Sequence, residues 1–294
     1  MRAKVKKILV AVRDGMPLPM QRMVNWISFH FLLSSSERDI WNQRIKDVLC
    51  CADNKFIPRH PQAGTVKGGL MTMHNGLKVH AGSYYGWGSH QVLVENKGCH
   101  EPQEERAFAE VLRHLKPRST MLELGSYWAF YSAWFARDIP DANCVMVEPE
   151  WGNLAKGKKN FRLNNLNGTF LQGFMGSGHS PEGQPPTLSV DGIMTDQKLK
   201  HIHILHSDIQ GFEFNMLHGA SNALKARAID YIFISTHSDE VHEKCIEYLE
   251  SHNYRIWQDI DLESTFSHDG LIVAQRSEMS ALPVLTLDRK LKDS

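Results

Sequence analysis

The sequence predicts an α/β fold: a mostly parallel sheet closed by an antiparallel hairpin, with a helical and hairpin cap ahead of it. Two observations lead there. From about residue 105 onward, short apolar runs alternate with segments of helical periodicity, the beat of a parallel sheet. The last two strand-like runs then follow each other with no room for a helix between them, so they must pair antiparallel. Residues before 100 lack this alternation. A chain of 294 residues exceeds the usual single-domain size, so a catalytic domain of roughly 180 residues plus an appendage is expected. The expected division is 1–100 for the cap or lid and 101–294 for the catalytic domain.

In the catalytic part, ERAFAEVLRHL has apolar residues at helical spacing and stops before Pro117. Then follow TMLEL, AFYSAWFARDI, CVMVEP, LAKGKKNFRLNNL and TFLQGFM, read as strand, helix, strand, helix, strand. IHILHSDIQG is the fourth strand, FNMLHGASNALK a helix, AIDYIFISTHS the fifth strand and EVHEKCIEYLESHN a helix. YRIWQDIDL and GLIVAQR form the closing hairpin. In the first hundred residues, MQRMVNWISFHFLL and ERDIWNQRIKDVLCC read as amphipathic helices, and LMTMHNGLKVHAGSYYG as a hairpin turning at Asn75-Gly76. The first of these helices carries Trp26, Phe29, Phe31 and Leu32; packing on the core or on a second subunit of a homo-oligomer is favoured over a membrane contact. GSGHSPEGQPP, residues 176–186, reads as a surface loop.

Composition narrows the function. Lys plus Arg and Asp plus Glu both number 33, so no global field draws the protein to nucleic acid or to anionic membrane. A small-molecule or carbohydrate-like partner is expected instead. The five cysteines (Cys50, Cys51, Cys99, Cys144, Cys245) lack metal-ligand spacing and read as free thiols in a reducing compartment. The basic N-terminus has too short an apolar run for a signal peptide, and no stretch approaches the roughly 20 apolar residues needed to cross a bilayer. A cytoplasmic location is expected.

The stretch MLELGSYWAFYSAWF, residues 121–135, carries the first chemical signal. Gly125 follows a strand and lets backbone pass close to a ligand before the helix begins. A diphosphate site asks for more glycines, but this turn continues with Tyr127, Trp128 and Ala129. It suits a ligand with a single carboxylate at the helix N-terminus and a positive charge near Glu123. S-adenosylmethionine (SAM) carries these groups, and Glu123, Gly125, Ser126, Tyr127 and Trp128 are its expected contacts. The second strand ends in Glu148-Pro149, about two dozen residues after Gly125, where a carboxylate can accept both ribose hydroxyls. The bland alternative is a carboxylate that only caps the next helix. Gly173 and Phe174 at the end of the third strand are placed beside the adenine. A sheet closed by an antiparallel hairpin belongs to the Rossmann-like architecture of SAM methyltransferases.

MLELGSYWAFYSAWF, CVMVEPEWGNLAKGKKNFRLNN, PPTLSVDGIM and HSDIQGFEFNML resemble successive blocks of the FkbM-type SAM-dependent methyltransferases, over about residues 98–275. The resemblance implies O-methylation of a hydroxyl on a sugar, glycolipid, polyketide or similar metabolite. It also implies that Glu101 or Glu104, in HEPQEE, lies near the cofactor. Two departures matter: Ala129 stands where the family usually has glycine, and His206-Ser207-Asp208 replaces its Lys-x-Asp. The first adds a methyl group. The second changes the charge expected beside the substrate.

The chemistry should lie at the carboxyl ends of the strands. Asp208, Gln210 and Glu213 follow the fourth strand and His237 the fifth. Asp208 and His237 are expected to converge on the transferred methyl, with His237 as the base, Asp208 orienting it and Glu213 either joining them or capping a helix. Alternatively, Asp208 and His237 hold Mg or Mn with Asp239 or Asp269 as third ligand, and the residues leave metal dependence open. His201 and His203, at the far end of the fourth strand, read as structural. Two other functions compete: a SAM-binding module without transfer activity in a biosynthetic assembly, and a nicotinamide oxidoreductase resting on Gly125 and Glu148 alone.

Overall fold

A computed structural model describes residues 34–291. The chain forms two compact units, Met1–Pro102 and Gln103–Ser294. The helix expected at MQRMVNWISFHFLL lies outside the described residues.

In the first unit, helix α1 (Ser35–Cys50) opens with a capping box: the Ser34 hydroxyl accepts from the Glu37 amide, and the Glu37 carboxylate accepts from the Ser34 amide. A short 3-10 turn (Ala52–Phe56) follows. The hairpin is present as β2 (Leu70–Thr72) and β3 (Lys78–His80), with β1 (Val66–Lys67) as a third strand beside β2. Helix α2 (Gly86–Glu95) has no counterpart among the expected elements. Its sequence, GWGSHQVLVE, shows no polar face and no side-chain cap, which left it without a periodic signal.

Helix α3 (Pro102–Leu112) belongs to the second unit except for Pro102, its first position, where a missing N–H is tolerated. Strand β4 (Thr120–Leu124), helix α4 (Phe130–Asp138), β5 (Asn143–Glu148), α5 (Trp151–Leu163) and β6 (Thr169–Gln172) follow the expected beat. After Gly173 the third strand breaks away, and β7 (Phe174–Met175) pairs instead with β8 (Thr187–Leu188) across the 176–186 loop. Helix α6 (Val190–Asp196) is capped by Ser189. Strand β9 (Ile202–Ser207) precedes two short helices, α7 (Glu213–His218) and α8 (Ser221–Lys225), where one was expected. Gly219 and Ala220 interrupt it. Strand β10 (Ile229–Thr236), helix α9 (Asp239–Ser251) and strands β11 (Tyr254–Ile260) and β12 (Gly270–Arg276) complete the unit.

The seven-stranded sheet runs β11-β12-β10-β9-β4-β5-β6, parallel except for β12, which is antiparallel to both neighbours. This is the Rossmann-like α/β architecture with its closing hairpin. Strands β4 and β10 are buried throughout, as strands covered on both faces must be. The chain winds outward from β4 to β6 and then returns to place β9 on the other side of β4. That reversal opens a crevice at the carboxyl ends of β4 and β9.

The segment after β12 runs back over the edge strand. Trp257 Nε1 donates to the Pro283 carbonyl and Gln258 Nε2 to that of Leu285, while Gln103 Nε2 and the Arg106 guanidinium reach the Asp288 and Thr286 carbonyls. Leu282 and Leu287 are buried there. An edge otherwise open to strand addition is thus covered.

At the crevice, Gly125 has φ +73°, and a Cβ on it would overlap the Asp208 carbonyl oxygen. Gly152, in the first turn of α5, has nothing within 4 Å of a Cβ. Gly125→Ala is therefore expected to lose about 2–5 kcal/mol of stability, combining left-handed strain with overpacking. Gly152→Ala should be neutral or gain up to about 1 kcal/mol. Urea unfolding of the two variants side by side checks the contrast.

Candidate active site

The turn after β4 is held from the neighbouring strand. The amides of Gly125 and Ser126 both donate to the Val147 carbonyl at 2.9 Å. Tyr127 and Ala129 have φ +43° and +57°, so the turn contains two left-handed residues besides Gly125. Ala129 occupies the N-cap position of α4, where its side chain caps nothing. Its methyl group fits, yet it sits in a conformation that glycine adopts more easily. The Ser126 hydroxyl is buried without a hydrogen-bond partner. An uncapped helix start beside an unpartnered hydroxyl suits an anionic group, and the carboxylate of SAM fits there.

Glu148, the last residue of β5, is buried and ties this turn to the second strand. Its Oε2 accepts from the Tyr127 amide at 3.0 Å, and its Oε1 accepts from the Glu150 amide at 3.0 Å and from Asn153 Nδ2 at 3.4 Å. Burial pushes its carboxyl above the ordinary range, against the pull of those donors. The capping alternative is thus partly realised, because Glu148 also shapes the entry to α5. Oε2 keeps one acceptor site, which fits one hydroxyl of a ribose.

Around Glu148 lie Pro149, whose carbonyl accepts from Gln172 Nε2 at 3.1 Å, Gly173, whose amide points to the Glu148 carbonyl at 3.4 Å, and the exposed Phe174. The Tyr127 ring lies 5.1 Å from the Lys156 ammonium. Trp128 is buried and stacked on Phe130, with centroids 5.5 Å apart. Glu123 is enclosed as well: it accepts from the Ser132 amide at 3.2 Å, and burial raises its pKa to about 7. Glu101, in the first unit, lies 3.4 Å from His100 and 4.0 Å from Arg44.

The second departure from the family pattern receives a different explanation from the expected one. His206 is buried, not beside an open substrate region, and its Nε2 meets Glu104 Oε1 at 2.6 Å. The replacement changes an internal charge pair. Glu104 itself lies under the sheet's carboxyl end and also accepts from the Ser235 hydroxyl at 3.2 Å.

The structure brings Asp208, Gln210, Glu213 and His237 together. His237 Nδ1 meets Glu213 Oε1 at 2.7 Å; its Nε2 meets Gln210 Nε2 at 2.8 Å and both Asp208 Oδ1 and Asp269 Oδ1 at 3.3 Å. Asp269 arrives from the β11–β12 connection, whereas Asp239 opens α9. Glu213 is fully buried and also accepts from the Gly211 amide at 2.9 Å. Burial disfavours the His237 cation, but the hydrogen bonds and charges of the carboxylates outweigh it and raise the pKa to about 10.

A protonated imidazole has no lone pair with which to accept a proton or bind a metal, and Asp208 is the most exposed of the three carboxylates around His237. Among the described residues, His201, His203 and Asp230 also cluster as metal-ligand types. There His203 Nδ1 accepts from the Thr120 amide at 2.9 Å, which places the proton of the neutral ring on Nε2, and Arg276 already pairs with Asp230 at 3.1 Å. This cluster lies at the opposite end of β9 from Asp208, and His201 Nε2 pairs with Asp230 at 2.9 Å.

A His pKa raised from its unfolded value contributes stability that is complete below about 6.5. It is lost as pH rises through about 10. Wild type should therefore exceed His237→Gln in denaturant midpoint at pH 7, and the gap should close by about pH 10.5; a constant gap would exclude the charged pairing.

Residues 156–256 match the family model described as Methyltransferase FkbM domain. No curated protein matches the chain. Among solved structures, precorrin-6y C5,15-methyltransferase from Geobacter metallireducens GS-15 is 16% identical, with a TM-score of 0.42 over 60% of this chain and 89% of that one. TrmK of M. capricolum with S-adenosylhomocysteine is 12% identical, with a TM-score of 0.41 over 60% and 70%. Methyltransferase FkbM from Methylobacillus flagellatus KT is 16% identical, with a TM-score of 0.44 over 55% and 44%. Structural likeness at that level carries no argument about activity. The family match runs from α5 into β11 and takes in Asp208, Gln210, Glu213 and His237, so this stretch of the second unit is similar to the FkbM methyltransferase domain.

Proposed function

We propose that the domain transfers the methyl group of SAM to a hydroxyl of a small or carbohydrate-like acceptor, with Asp208 receiving the hydroxyl proton. One observation carries this reading: Asp208 lies at the end of β9, against Gly125, and is bridged to the end of β10 through His237. Bound SAM supplies a methyl group activated by its sulfonium charge. What remains for the protein is alignment of the nucleophile and removal of its proton. Glu148 would hold the ribose, the start of α4 with Ser126 the carboxylate, and Phe174 with Gly173 the adenine side. Glu213 fixes His237 from behind, and His237 in turn fixes Asp208 and Asp269. Asp208 would take the proton that the acceptor hydroxyl gives up on methylation.

The binding-module alternative drew on the replaced lysine, and that support weakens because His206 keeps a charged partner in Glu104. A metal-assisted version would require His237 to give up its proton or Asp208 and Asp269 to bind without it. Addition of chelator is therefore expected to leave turnover unchanged; loss on chelation and return with Mg or Mn would favour the metal.

Glu148→Ala should weaken SAM binding by about 1.5–3 kcal/mol, roughly 10- to 150-fold, read by calorimetry. Asp208→Asn should reduce formation of S-adenosylhomocysteine by about 100- to 10,000-fold with SAM affinity little changed. The acceptor can be sought as a 14-dalton difference by mass spectrometry of producing and deletion strains. A purified chain that binds SAM but forms no S-adenosylhomocysteine with any extract fraction would favour the binding module.

A further inference from the structure

Behind the turn lies a buried polar group that the methyl-transfer chemistry does not use. Glu104 from α3, Glu123 from β4 and His206 from β9 are all at least nine-tenths buried. Glu123 and His206 face each other in the β4–β9 register. Glu104 holds His206 through one oxygen, at 2.6 Å, and Ser235 of β10 through the other, at 3.2 Å. The His206 ring lies 4.3 Å from the Tyr131 ring of α4 and 6.1 Å from Phe233 of β10. One imidazole thus touches or faces α3, α4, β4 and β10.

The position of this hub is informative. Two residues beyond His206, the Asp208 carbonyl packs against Gly125, and the Asp208 amide donates to the Leu124 carbonyl at 2.9 Å. Two residues beyond Glu123 the turn begins, and Tyr131 belongs to the first turn of the helix that follows it. A displacement of the imidazole would therefore reach both walls of the crevice.

We propose that Glu104 and His206 are positioning residues for SAM: their buried pair fixes the Gly125 turn and the Asp208 strand end at the spacing the cofactor needs. The role rests on the SAM reading above and adds to it two residues that touch neither cofactor nor acceptor. A buried pair is a weak source of net stability once its desolvation is counted, but it is a strong geometric constraint because leaving either partner alone is unfavourable.

The test uses SAM itself as the probe, in calorimetric titrations of the full chain, with melting temperature recorded for each variant. Glu104→Gln and His206→Asn should each weaken SAM affinity about tenfold, and the double variant should be no weaker than either one, since the pair acts as a unit. His206→Lys keeps the charge and should stay within about threefold of wild type. Should the first two variants fail to fold, Ser235→Ala removes only the second bond to Glu104 and should cost about two- to fivefold. Wild-type affinity in folded Glu104→Gln and His206→Asn, losses that multiply in the double variant, or unchanged affinity in Ser235→Ala would overturn the assignment. A wild-type chain that binds no SAM would overturn the cofactor reading itself, a different result from wild-type binding that the variants leave untouched.

Discussion

The approach of two backbones, Gly125 against the Asp208 carbonyl, is the constraint on which the rest of the site depends. It exists because β4 and β9 are neighbours in the sheet though about 80 residues apart in sequence. The sheet order places a crevice between their ends, and glycine at 125 lets the two strand ends close on each other. A side chain there would push the turn from the strand that carries Asp208. The turn after β4 and the end of β9 would then separate, although neither would have lost a functional group.

Charge follows from the same convergence. Three carboxylates meet His237 where β9, α7, β10 and the β11–β12 connection come together. These carboxylates, with the fully buried Glu213 behind the ring, favour the charged form of the imidazole, which is why the proposed proton acceptor is Asp208.

The sheet was legible in the sequence because its strands are short, apolar and separated by segments of distinct helical periodicity, as with EVHEKCIEYLESHN. The closing hairpin was legible from spacing alone. Helix α2 was not, since GWGSHQVLVE lacks a polar stripe, and the break in the third strand at Gly173 depended on β8, which pairs from across a loop. At the site, residue types and strand ends were legible: Asp208, Gln210 and His237 do meet. The rise in the His237 pKa was not, because it depends on Glu213 and Asp269 arriving from two other connections. His206 was misplaced for a related reason. Its partner Glu104 is 102 residues away in sequence, and no local pattern states that a charged side chain will be met in the interior.

The segment after β12 gives the second unit a further property. Gln103 and Arg106, at its beginning, are bonded to the carbonyls of Asp288 and Thr286, close to its end. On a ribosome, α3 and the first strands emerge long before their partners near residue 288. The contacts of Trp257, Gln258 and Gln103 with the carbonyls of Pro283, Leu285 and Asp288 form only after that later segment has been made and has folded back.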